Sequence, residues 1–393
     1  MKKITTIIVI ILAACYAKAQ DFSTNHKDSH YKFTVQKDIT RTDVKNQNTT
    51  GTCWDYSAES FLESEVIRMG KPKVELSEMW VVRNAYTEKA INYVRRQGKA
   101  QFDEGGEPHD VINVVRKYGI VPESVYPGSI KPDHKEMLAV LKAFLNAIVE
   151  QPKLSDHWLN AFNDILDEYL GKIPTTFDYN GKNYTPQSFA KYLGINPDDY
   201  VEITSFTHHP FYTKFIAELS DNWDNGEEYN VTLDDLTEIT TNSIKSGYSV
   251  EWASDVSEKT FSFKNGVAIW PDKDWEDMDK ATKDSIFNYP VKQATITQVM
   301  RQKAFDNLTT TDDHGMHIIG MATDQLGTEY YIVKNSWGTE RNDEKRIFLL
   351  FGSLFPIQNY RHHGEQKCYP EKHRQEARYQ QLINYFLSND RLP

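Results

Sequence analysis

Two short stretches hold the side chains best suited to covalent chemistry. The first is Gln47-Asn48-Thr49-Thr50-Gly51-Thr52-Cys53-Trp54. Cys53 stands where a helical pattern begins, so its thiol meets the positive end of a helix dipole, which favours the nucleophilic thiolate. Gln47 lies six residues earlier, where its amide could donate to an oxyanion beside the Cys53 backbone N–H. A buried structural cysteine is the competing reading, because free cysteines are usually packed as small apolar groups. The second stretch is His314-Gly315-Met316-His317, followed by Lys334-Asn335-Ser336-Trp337-Gly338. A nucleophilic thiol needs an imidazole to take its proton and return it to a leaving group. His317 is read as that base and Asn335 as the neutral acceptor that orients it. His314, at the start of the same strand, is the rival base.

These residues must be held by the elements around them. Trp54, Ala58, Phe61, Leu62, Glu65 and Met69 fall at helical spacing, and Gly70 provides a stop. Leu76-Ser77-Glu78 opens a second helix running through Tyr93. The loop Asp103-Glu104-Gly105-Gly106 precedes a third, Pro108 to Tyr118. Residues 133–171 predict two more helices. A strand is expected over Ser249 to Ser254, and a strand pair over Met316 to Ala322 and Tyr330 to Asn335, with Leu326-Gly327 in the turn. His317 and Asn335 then sit 18 residues apart on consecutive strands, which makes adjacency plausible.

Taken together, Gln47, Cys53-Trp54, His317 and Asn335-Ser336-Trp337-Gly338 resemble the papain-like cysteine peptidases, in the right order. Ordinary members place the histidine roughly 130 to 150 residues after the cysteine. Here the separation from Cys53 to His317 is 264. That extra length resembles the bleomycin hydrolase and aminopeptidase C branch. Asp103-Glu104-Gly105-Gly106, Lys117-Tyr118-Gly119-Ile120-Val121-Pro122 and Asp198-Asp199-Tyr200-Val201 are similar to landmarks of that branch.

The resemblance implies an α+β, two-lobed papain-like fold over residues 20–340, with a largely helical insertion at about 130–245. It implies Cys53 as nucleophile, His317 as general acid and base, Asn335 as orienter and Gln47 as oxyanion donor. Gly105 and Gly106 would pair with the substrate backbone, and Trp337 would shield the histidine–asparagine hydrogen bond. Met316 and Ile318 would line a specificity pocket, against an equal reading as strand core. The expected substrates are peptides with free amino termini, cleaved through a thioester. A cysteine endopeptidase with an open cleft and an inactive peptidase-fold binding protein are the alternatives. The branch also implies a hexamer, and no cofactor is expected.

Two departures from disulfide-bearing papain-type enzymes agree with the branch. Thr50 stands where those enzymes usually carry a second cysteine, and only 33 residues separate Gln20 from Cys53, too few for a long inhibitory propeptide. Metal sites are not expected. Asp221-Asn222-Trp223-Asp224-Asn225-Gly226 places Trp223 at a ligand position of a calcium loop and Thr232 where a closing Glu belongs. His208-His209 has no companion ligand nearby in sequence.

Residues 1–19 read as an export signal: Lys2 and Lys3, an apolar run from Ile4 to Ala14, and the Ala17-Lys18-Ala19 cleavage site. An alternative reading takes Leu12-Ala13-Ala14-Cys15 as a lipobox that anchors the protein at Cys15. No other stretch is long and apolar enough to span a membrane. Cleavage removes three lysines and Cys15, leaving Cys53 and Cys368 and changing the net charge from −11 to −14. That charge argues against a nucleic-acid partner.

Residues 341–393 do not follow the family's expected ending. They hold Arg361-His362-His363-Gly364-Glu365 and lack clear strand alternation. Back-translation of Phe355 to Arg378 in a shifted frame yields an apolar strand followed by a basic tail, as the family would have. The expectation is a frameshift from near Lys345, against a genuinely divergent tail. In the family this C-terminal arm blocks the cleft, so an altered arm would leave it open.

Overall fold

The computed structural model describes residues 21–25, 28–129, 131–339 and the backbone of strand 362–365. The expected export signal and nearly all of the expected frameshifted tail lie outside the described residues.

The helices are α1 (Cys53–Arg68), α2 (Glu78–Arg95), α3 (Pro108–Tyr118), α4 (Lys135–Val149), α5 (His157–Leu170), α6 (Pro186–Leu193), α7 (Leu233–Ser246), α8 (Lys280–Ser285) and α9 (Gln298–Asp306). Local chemistry fixes several of their ends. The Ser77 hydroxyl accepts the Trp80 N–H at the start of α2. Helix α3 opens with Pro108 and a Glu107–Asp110 capping box, and it stops at Gly119, whose φ is 78°. Helices α1 to α6 close around one apolar core, in which Phe162, Leu141, Leu145, Leu166 and Phe189 are fully buried. Each such side chain contributes roughly 1.5–3 kcal/mol of transfer free energy.

The strands are β1 (Asp21–Phe22), β2 (Phe33–Asp38), β3 (Phe177–Tyr179), β4 (Lys182–Tyr184), β5 (Tyr200–Thr204), β6 (Lys214–Ile216), β7 (Glu227–Asn230), β8 (Val250–Ser254), β9 (Phe261–Ser262), β10 (Val267–Ala268), β11 (His314–Thr323), β12 (Glu329–Lys334) and β13 (His362–Glu365). Nine of them form one sheet in the order β1-β2-β11-β8-β13-β5-β7-β6, with β12 on the other edge of β11. The segment expected as a helical insertion therefore divides. Its first part gives α4, α5 and α6, while β5, β6 and β7 join the large sheet.

Strand β11 organises this lobe. One edge pairs with β12, and the other is shared by β8 over His314–Ile318 and β2 over Gly320–Thr323. A register shift between Ile318 and Gly320 interrupts the alternation. Met316, Ile318 and Met321 consequently enter one core, and Ile319 and Ala322 enter another.

Helix α1 lies between the lobes and is buried on nearly every face, although Asp55, Ser57, Glu59, Ser60, Glu63 and Ser64 are among its buried residues. Lys45 lies under it, with Nζ 2.7 Å from Glu78, 3.0 Å from Glu123 and 3.7 Å from Glu63. Buried carboxylates need such a counter-ion. None of the helices among the described residues is long and apolar enough to cross a membrane.

Candidate active site

Cys53 is the first residue of α1, so its backbone N–H has no acceptor within the helix. Its side chain is part-exposed on the wall of a cavity of about 310 Å³. Gly105, Gly106 and His314 line the same cavity. Protein packed around the sulfur pushes the thiol up to about 12, against backbone N–H groups of Gly315 and Trp54 that lower it. Burial here outweighs the acidifying effect expected from the helix start.

The imidazole that shares the cavity with the nucleophile is His314. Its Nε2 donates to Asn335 Oδ1 at 2.7 Å. This tautomer leaves Nδ1 unprotonated as the basic nitrogen. Burial holds His314 down to about 4, while the Asn335 hydrogen bond pulls it up. Thiol and imidazole are thus both neutral at rest. The Trp337 ring lies over the His314 imidazole, with centroids 4.6 Å apart, and covers the His314–Asn335 pair rather than a pair made by His317.

His317 does not take this place. It is fully buried, its Nδ1 pairs with Ser60 Oγ at 2.8 Å, and Phe61 meets its ring edge-on. Burial keeps it neutral, with its pKa held well below the usual histidine value. The physical reason is strand geometry. His317 pairs with Lys334, and side chains alternate between faces along each strand. Continuing that register sets Trp337 opposite His314 and makes Asn335 a diagonal neighbour of His314 on the same face. His317 points the other way, toward α1.

Other expected residues sort similarly. Neither glycine of the Gly105-Gly106 pair has room for a Cβ. At Gly106 it would come within 2.8 Å of Asp110 and 2.9 Å of the Trp54 indole, and at Gly105 it would collide with Asp221. Gly51 N–H donates to Glu104, and Trp54 Nε1 donates to Glu104 O at 3.0 Å, strapping this loop to the start of α1. Met316 and Ile318 are fully buried in the sheet core and lie off the cavity, so they are packing residues and do not line a specificity pocket. Gln47 is buried beside the Asn335 strand end. Its backbone N–H donates to Ser336 O, its Oε1 accepts from Ser336 Oγ, and its Nε2 donates to Thr50 O at 2.8 Å. The carboxamide carries a second N–H, which that bond leaves unused.

His208 and His209 do have a companion. Their Nε2 atoms lie 3.0 and 2.8 Å from the two oxygens of Glu218. Asp224, from the rejected calcium loop, lies 2.9 Å from His109 Nε2, and Glu202 lies 2.8 Å from Nδ1. In both clusters imidazole nitrogens hydrogen-bond carboxylate oxygens. Glu251 and Asp312, which sequence reasoning passed over, also line the cavity, as does Asp221, the first residue of the rejected calcium loop. The three come from separate segments, and no local motif marks Glu251 or Asp312.

A nucleophile on a central helix, faced by an imidazole and carboxamide from a hairpin across the cleft, defines a two-lobed papain-like α+β fold. The chain belongs to the Peptidase C1-like family, which it matches over residues 4–356. Within it, the chain falls in the bleomycin hydrolase and aminopeptidase C branch. It is 26% identical over 360 residues to Aminopeptidase G of Lactobacillus delbrueckii subsp. lactis, covering 79% of this chain and 78% of that one. It is 23% identical over 379 residues to Aminopeptidase C of Streptococcus thermophilus, covering 84% and 82%. The crystal structure of PepW from Lactobacillus rhamnosis HN001 matches with a TM-score of 0.67 at 22% identity, over 90% of this chain and 85% of that one.

Proposed function

We propose that this protein is an exported cysteine aminopeptidase that removes residues from the free amino end of peptides. The observation that carries the reading is one cavity shared by Cys53 and His314, with Asn335 behind the imidazole. His314 Nδ1 takes the Cys53 proton as the sulfur attacks the scissile carbonyl. The developing oxyanion is met by the Cys53 backbone N–H and the second amide hydrogen of Gln47. His314 returns the proton to the departing amine, leaving a thioester. It then activates water to hydrolyse that thioester. Gly105 and Gly106 let the substrate backbone lie against the loop.

The aminopeptidase names of the relatives support the choice of free amino ends. The basic start, apolar run and small-residue cleavage site support export, which N-terminal sequencing of the secreted protein tests. A start at Gln20 is expected, and lipidation at Cys15 is the competing outcome. The hexamer rests on branch resemblance alone and is tested by sedimentation.

The deciding experiment treats the protein with an epoxide thiol inhibitor and assays aminoacyl fluorogenic substrates against N-blocked peptides. Labelling of Cys53 with preferential cleavage of free-amine substrates supports the reading. Preferential cleavage of blocked peptides makes the protein an endopeptidase, and absence of labelling removes the enzymatic reading.

A further inference from the structure

Among the described residues, the cavity that holds Cys53 is lined by seven carboxylates and by no lysine or arginine. Five of the seven already have structural work. Glu104 accepts the Gly51 N–H, and Asp103 accepts the Glu104 N–H at 2.8 Å. Glu107 caps α3, and Asp313 accepts the Val256 N–H at 2.9 Å. Asp221 accepts from Gln101 Nε2 at 2.5 Å, which leaves Glu251 and Asp312.

Glu251 is the unusual one. It lies on β8, opposite His317 in register, and is fully buried. Its Oε1 accepts from Ser57 Oγ at 2.8 Å, and the same hydroxyl lies 3.2 Å from the carbonyl of Trp54, the residue after the nucleophile. Its Oε2 is buried with no partner among the described residues, and so is Asp312 Oδ2. A buried carboxylate oxygen without a donor costs free energy, and one on a cavity wall is satisfied by whatever donor enters.

The group's electrostatics agree. Burial, with Glu202 and Asp312 adding to it, pushes the Glu251 carboxyl well above the usual range, and the Ser57 hydroxyl pulls it back. Burial and then Asp221 push Asp312 up likewise. A cation entering the cavity relieves both the desolvation and the mutual repulsion.

A bare metal ion fits poorly. Among the described residues, the acid and histidine groups that converge closely enough to share one ion are His208-His209-Glu218 and His109-Asp110-Asp224. Among the described residues, no three acid or histidine groups of this cavity converge that closely.

We infer that Glu251, with Asp312 beside it, forms the anchor for the protonated α-amino group of the peptide substrate. This deepens the aminopeptidase reading and rests on it. It places the recognition of the free amino end on the sheet lobe's own β8 and the turn before β11. The amine would donate to the unpartnered oxygens while the first peptide carbonyl lies at Cys53.

The test uses the full chain and one dipeptidyl amide in two forms, free and N-acetylated. Binding to Cys53→Ser is measured by calorimetry, and kcat/KM is measured on the otherwise native protein. The free form is expected to bind at least tenfold tighter, with that ratio falling at least tenfold in Glu251→Gln, and KM rather than kcat carrying the loss. Asp312→Asn repeats the measurement on a less buried group and is expected to lower the ratio in the same direction. An unchanged free-to-acetylated ratio in both variants overturns the inference, even if the protein is an active peptidase. So does equal handling of an N-acetylated peptide with arginine before the scissile residue, which would make the pocket a side-chain site. If the native protein cleaves neither form yet the binding ratio behaves as expected, the peptidase reading fails and the anchor stands.

Discussion

The two faces of β11 make a natural experiment in what burial does to histidine. His314 and His317 are three residues apart, both nearly or fully buried, and both held neutral. His314 faces a carboxamide at the cleft edge and shares a cavity with a thiol. His317 faces a serine under α1, and its Nε2 has no partner among the described residues. Residue type and burial are nearly the same at the two positions, so the difference lies in the neighbours that strand parity selects.

Substituting the pair breaks this comparison most directly. His314→Ala is expected to lower kcat/KM by roughly 10⁴-fold, the upper range for loss of a general acid and base. His317→Ala is expected to keep turnover within about tenfold, since it touches no reacting atom. Steady-state kinetics on an aminoacyl substrate decide, and the reverse ranking would return the base to His317.

Stability should divide the other way. His317→Ala leaves the Ser60 hydroxyl unpaired and opens a void under α1, at a cost of about 1–3 kcal/mol in denaturant melts. A result near zero would mean that His317 is not a packed strut.

The pH dependence of that cost sharpens the point. Below about pH 6.5 the unfolded chain protonates at position 317 while the folded chain does not, because its pKa is held well below that value. Wild-type stability therefore falls as pH drops. His317→Gln lacks this linkage, so its cost relative to wild type should shrink by about 1.4 kcal/mol per pH unit below 6.5. A constant cost across pH 7.5 to 5 would mean a solvated imidazole.

The same logic on the cleft face predicts that activity survives acidification. The working form of His314 is neutral, and its pKa is lowered to about 4. The acid limb of kcat/KM should fall near pH 4, and a limb near 6.5 would mean an exposed base. The smallest effect is expected for Asn335→Ala: a roughly tenfold loss in kcat, the worth of one buried hydrogen bond.

Much of this site was legible because its parts are local. Cys53 at a helix start, the Gly105-Gly106 loop, the hairpin and Asn335 each announce themselves within a few residues. The choice between His314 and His317 was not local. Proximity along paired strands holds for both, and only the register, anchored by His317 against Lys334, tells which face each occupies. Met316 and Ile318, open between pocket wall and strand core, are core, both fully buried in the sheet. Strands β5 to β7 were hidden because they are short and flanked by helices. The acidic wall was invisible because Asp221, Glu251 and Asp312 come from three separate segments.

The distance along the chain between Cys53 and His314 has a consequence during synthesis. At ordinary elongation rates, the 260 residues between them take on the order of tens of seconds to emerge. Throughout that interval the helix bearing the thiol can form, but the base and its carboxamide do not yet exist. The nascent chain therefore carries a nucleophile it cannot use. Competence to cut arrives only with the closing hairpin, and the order of the polypeptide itself guards unfinished protein from its own chemistry.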